Sequence, residues 1–219
     1  MNFLLSAAEL VGTVAFAISG ATLAIQKRLD LFGILFLGIV TALGGGTIRD
    51  LLLGYNPPRM FYNTEFVALA IASSLLVFFV ANQKLGKYLF RGANDFLFNL
   101  IDALGLGIFA VIGTQAGITA GFRSNAFFCI FLGMTTGVGG GVLRDVMCND
   151  IPFVLRKHVY AVAAIVGSIV FYTLSCLGLD VSIASLVGMI STVALRLLAR
   201  HYEWNLPRVR EPDSEESVR

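Results

Sequence analysis

The chain has 219 residues, of which 57% are hydrophobic and only 14% charged, and its mean hydropathy is +0.80. A water-soluble domain carries more charge than that, so the composition describes a membrane protein and excludes an ordinary soluble enzyme. The formal charge of +2 is too small to indicate a nucleic-acid partner, and the charges must be read from where they sit.

At about 1.5 Å of rise per residue and about 30 Å of hydrocarbon, a chain of this length has room for about seven helical spans joined by short loops. The continuous apolar runs predict them at Phe3 to Ile25, Leu31 to Leu53, Phe66 to Ala81, Phe96 to Thr119, Ala126 to Cys148, Val159 to Leu177 and Val181 to Leu198. None of these runs alternates, and open sheet edges cannot face lipid, so strands are not expected. The N-terminus lacks the basic cluster of a secretory signal and reads as a retained span. The tail "RVREPDSEESVR" after Pro207 is polar enough to stay unfolded. With seven spans, thirteen Lys and Arg residues fall on the side of the C-terminus and three, Arg49, Arg59 and Arg123, on the other. The positive-inside rule then places the N-terminus outside and the C-terminus in the cytoplasm.

The chain also repeats itself. "LGGGTIRD" (Leu43 to Asp50) returns 95 residues later as "VGGGVLRD" (Val138 to Asp145). At that offset Leu37, Gly38, Thr41 and Pro57 also match Leu132, Gly133, Thr136 and Pro152; at an offset of 93, Glu9, Gly12, Phe16, Ala17 and Gly20 match Asp102, Gly105, Phe109, Ala110 and Gly113. Each copy holds three spans, and an odd number turns the second copy upside down. The expected division is residues 1–90 and 91–178 as two inverted three-helix repeats, 179–200 as an unpaired seventh helix and 201–219 as a cytoplasmic tail.

Glycine in a helix interior costs about 1 kcal/mol relative to alanine. Close packing through small residues is one explanation, and it suits Gly12, Gly20, Gly105 and Gly113. Gly44, Gly45 and Gly46, like Gly139, Gly140 and Gly141, point in too many directions for one interface. They predict breaks in the second and fifth helices whose freed carbonyl ends converge near the midplane and favour a cation. Thr41 and Thr136, about one turn earlier, are candidate hydroxyl ligands or bond only to their own helix. Arg49 and Arg144 would cost about 2.5 to 3.5 kcal/mol each at a span centre. Asp50, Asp145, Glu9 and Asp102 are the candidate partners, acting as structural locks or as gates at the two ends of a conduction path.

The isolated Cys129, Cys148 and Cys176, and the distant His158 and His201, form no metal-ligand or nucleophile pattern. No enzyme, cofactor or resident metal is expected.

With its two "GGGxxRD" stretches, each in the second helix of an inverted three-helix repeat, the chain resembles the bacterial members of the trimeric intracellular cation (TRIC) channel superfamily, whose module is also known as a glycine-transporter domain. The resemblance covers roughly Met1 to Arg200. It implies a homotrimer in the bacterial inner membrane, surrounded by lipid, with one pore per protomer lined at Gly44 to Gly46 and Gly139 to Gly141 and passing K+ or Na+. The alternatives are a small amino-acid (glycine) transporter using the same site, with ammonium on carbonyls and carboxylate on amides, and a structural scaffold.

Overall fold

The structure is a computed structural model, and it describes residues 3–83, 95–156, 159–202 and 204. The long apolar runs all form helices: α1 (Phe3–Gln26), α2 (Leu31–Leu52), α3 (Thr64–Ala81), α4 (Asp95–Gly117), α5 (Ala126–Met147), the single turn α6 (Phe153–Arg156), α7 (Tyr160–Cys176) and α8 (Val181–His201). A π-helical turn, Ile118–Phe122, extends α4 until Gly121 at φ +93° ends it. Six of these helices are long and apolar enough to cross a membrane, while α7 is equally apolar but has 17 residues. The polar tail, the stretch with Lys84, Lys87 and Arg91, and the pair Lys157 and His158 lie outside the described residues.

Short polar residues start the two matching helices α2 and α5. Asp30 accepts the Gly33 amide at 2.8 Å to cap α2, and Asn125 accepts the Phe128 amide at 3.0 Å to cap α5. Such caps occupy amide groups that the first turn cannot satisfy itself. The two caps sit 95 residues apart, so the repeat includes its own start signals.

The two triplets do not break their helices. Hydrogen-bonded α-helix runs through Gly44–Gly46 in α2 and through Gly139–Gly141 in α5, which corrects the breaks expected from helix propensity. The reason is that each glycine meets a different neighbour. A Cβ on Gly45 would run into the carbonyl oxygen of Thr136, and one on Gly140 into that of Thr41, so α2 and α5 cross backbone against backbone. A Cβ on Gly44 would meet Leu143 Cδ1 at 2.6 Å, and one on Gly139 would meet Ile48 Cδ1 at 3.0 Å. Gly46 and Gly141 instead face the guanidinium groups of Arg49 and Arg144, one turn further along their own helices. Close packing stabilises helices that propensity alone disfavours.

The same exchange recurs nearer the centre. Gly12 packs against Phe109 and Gly105 against Phe16, so each copy's glycine makes room for the other copy's ring. The two rings meet at 5.2 Å in the core.

The ends of the bundle can be told apart by what is tied there. Lys27, just past α1, pairs with Asp150, just past α5, at 2.7 Å. Helices α1 and α5 therefore end on the same side, where α2 begins. Helices α2 and α5 run in opposite directions, and Arg49 and Arg144 lie towards opposite ends.

Candidate functional site

Arg49 and Arg144 each sit near the last turn of a helix and bond first to the next residue. Arg49 Nε donates to Asp50 Oδ1 at 2.9 Å; Arg144 Nε donates to Asp145 Oδ1 at 2.8 Å. The second carboxylate oxygen fastens the following loop: Asp50 Oδ2 accepts the Arg59 amide at 3.0 Å and Asp145 Oδ2 the Phe153 amide at 2.9 Å. In each copy one aspartate neutralises an arginine and anchors a loop. Charge-assisted bonds of this kind are about twice as strong as neutral ones. The adjacency of Arg and Asp is visible in the sequence, whereas the loop amide is not.

Beyond this shared core the two ends differ. Arg144 is fully buried. Its Nη1 donates to Asp102 Oδ1 at 2.8 Å and to Ser19 Oγ, and its guanidinium lies 5.3 Å from the ring centres of both Phe98 and Phe153. Two carboxylates, a hydroxyl and two aromatic faces thus enclose one positive charge, at a depth where an unpaired one would cost several kcal/mol.

The Arg49 end is open. Two cavities of about 250 and 300 Å3 meet there and share Glu9, Arg49 and Arg59 in their walls. Glu65 and Asp50 line the first, Gln115, Thr119 and Asp180 the second. Glu9 occupies the position of Asp102, yet among the described residues it makes no ion pair with Arg49. Its carboxylate stands on the cavity wall. Arg59 has its guanidinium 4.4 Å above the Tyr55 ring. Neither Arg59 nor Glu65 was a candidate from the sequence; the only signal for them is their place just after the Arg-Asp motif, in the stretch held by Asp50.

Thr41 and Thr136 are buried, and each donates its hydroxyl proton to its own helix, to Leu37 O and Leu132 O at 2.6 Å. Their carbonyls are the atoms against which Gly140 and Gly45 pack. The triplets and threonines therefore come together as the crossing of α2 and α5, between an open polar end and the end at which Arg144 is fully buried. Among the described residues no group of three His, Cys, Asp or Glu side chains is placed to hold a metal.

Outside the helices, Asp180 accepts the amides of Ser182 and Ile183 at the start of α8. Hydrogen bonds from Ser182, by its side chain and its amide, and from the Ile183 amide hold its carboxyl below the usual carboxylate range.

The class defined by this architecture is an all-α membrane protein built on two matching Arg-Asp helices crossed at glycine. A family model described as "Glycine transporter" matches the chain twice, over residues 6–82 and 99–175. The chain is 37% identical over 203 residues to the UPF0126 inner membrane protein YadS of Escherichia coli, covering 91% of this chain and 93% of that one. Among solved structures it is similar to one described under "Structural basis for conductance through TRIC cation channels", with a TM-score of 0.83, 36% identity and coverage of 97% and 99%. The TRIC trimeric intracellular cation channel orthologue from Rhodobacter sphaeroides gives the same TM-score at 28% identity, covering 93% of this chain and all of that one. The chain belongs to this glycine-transporter family and is a bacterial member of the TRIC superfamily.

Proposed function

We propose that the protein is a potassium-permeable monovalent cation channel of the bacterial inner membrane, a homotrimer with one conduction path in each protomer. The observation that carries this reading is the full-length likeness to TRIC cation channels at a TM-score of 0.83. The path runs from the cavities at the Arg49 end, past the crossing of α2 and α5, to the Arg144 cluster. At the open end Asp50 is committed to Arg49 and the Arg59 amide. Glu9, Glu65 and Asp180 remain against Arg59, an excess of negative charge that concentrates cations. At the other end the ion pairs of Arg144 act as the gate, because a pair that separates is also a switch.

The repeats are inverted across seven spans, with α7 as the short sixth. The N-terminus lies outside and the Lys27–Asp150 side faces the cytoplasm. Opposed directions of α2 and α5, two family-model matches and the lysine and arginine bias support this arrangement.

A second reading, glycine transport, is favoured by one observation: Glu9 and the two arginines line the same cavities and suit the ammonium and carboxylate of a zwitterion. Purified protein in planar bilayers separates the two. Stepwise potassium currents support the channel, whereas saturable glycine uptake in liposomes without unitary current overturns it.

A further inference from the structure

The two ends differ most in the space beside the third glycine. At the Arg49 end Gly46, Arg49 and Glu65 line an open cavity. At the offset of 95 their counterparts are Gly141, Arg144 and Tyr160. The Tyr160 side chain is fully buried and fills the corresponding space: its hydroxyl oxygen lies 3.2 Å, and Arg144 Nη2 3.7 Å, from where a Cβ on Gly141 would be. The chain thus exchanges a cavity-lining carboxylate for a ring that occupies the volume.

Tyr160 is itself held from the far side. Arg196 of α8 is buried, with its guanidinium 4.6 Å from the centre of the Tyr160 ring. Helix α8 has no counterpart in the first copy, so this contact exists at one end only. Arg196 Nε has no hydrogen-bond partner among the described residues. The ring face adds a favourable contact to this buried cation.

The polar atoms around the ring are also incompletely paired. Tyr160 Oη, Arg144 Nη2 and Asp102 Oδ2 are buried without a hydrogen-bond partner among the described residues. Buried polar atoms are normally satisfied, and water reaching this space would satisfy all three. The sealed arrangement therefore rests on packing as well as on the Arg144 ion pairs, and the Arg196–Tyr160 contact is the part of that packing contributed by the unpaired helix.

From this exchange we infer that Tyr160 is the stopper of the Arg144 end and that Arg196 is the positioning residue that holds it shut. The inference rests on the channel reading for what the stopper blocks, but its test does not need conduction. In a background with Cys129, Cys148 and Cys176 replaced by alanine, Ser19→Cys places a thiol beside Arg144. Membrane vesicles of each orientation are then treated with an impermeant methanethiosulfonate reagent. With Arg196 intact the thiol is protected from the Arg144 side; Arg196→Met raises its labelling rate from that side roughly tenfold, and Arg196→Lys, which restores a cation over the ring, returns it towards the protected level. Tyr160→Leu gives the same increase and serves if Arg196→Met does not fold.

In bilayers Arg196→Met raises the open probability several-fold and leaves the unitary conductance unchanged. An unchanged labelling rate in both variants overturns the inference. Increased labelling in a protein that passes no unitary current upholds the stopper and overturns the channel.

Discussion

Arg144 carries a full charge with no contact with solvent, and Asp102 is one of the two carboxylates, with Asp145, that pair with it, so its loss leaves that buried charge half-compensated. Removing one member of a buried pair typically costs about 3 to 5 kcal/mol, mostly from the uncompensated charge left behind. Asp102→Ala is expected to lose about that much in chemical unfolding of the detergent-solubilised protein. Glu9→Ala, at the matching position, is expected to change stability by about 1 kcal/mol or less, because among the described residues it has no ion-pair partner to strand. Equal losses at the two positions would contradict the open and sealed assignment of the two ends. The comparison separates residues that align in sequence by the chemistry each performs.

Glycine acts differently when considered within its helix. At Gly45 and Gly140 the gain of about 1 kcal/mol in helix propensity from alanine is outweighed by a Cβ driven into a backbone carbonyl, since overpacking costs about 1 to 3 kcal/mol. Gly46→Ala meets only the Arg49 side chain, at 3.6 Å, and is expected to be neutral or mildly stabilising. Thermal unfolding of the three variants checks the order. The helix α8 offers a pH test. Asp180 is a cap whose folded pKa lies below its unfolded value, so its contribution is present above the usual carboxylate range and is lost as pH falls through the folded value. The stability difference between the wild type and Asp180→Ala is expected near neutrality and to vanish on acidification. These elements also show what was legible in the chain. Every expected run forms a helix within three residues of its expected bounds, because a long apolar run has few alternatives in lipid. The helix breaks were misread because propensity is a property of one segment, while the contacts of Gly45 and Gly140 depend on a helix about 95 residues away. The exchange of Glu65 for Tyr160 was hidden for the same reason: its meaning comes from Arg196 on a third helix.

Across the whole molecule, two related halves share a midline and differ at their ends. The Lys27 side and the Arg123 side are expected on opposite faces of the membrane: an impermeant thiol reagent should reach Arg28→Cys only from the cytoplasm and Asn125→Cys only from outside. Labelling of both from one face would remove the inverted arrangement. The Lys27–Asp150 pair is half-exposed, and its loss should cost about 1 kcal/mol or less; the halves are joined by the α2–α5 crossing and by the packing of α1 on α4 at Phe16 and Phe109. That crossing has a consequence for suppressor genetics. Where a new methyl group strikes the end of a side chain, as Gly44→Ala does with Leu143, a second substitution such as Leu143→Val clears the space. At Gly45 and Gly140 the obstacle is a main-chain carbonyl, which every amino acid carries. No substitution at Thr136 or Thr41 removes it, so revertants of these two alleles should be true reversions or distant changes that move a whole helix.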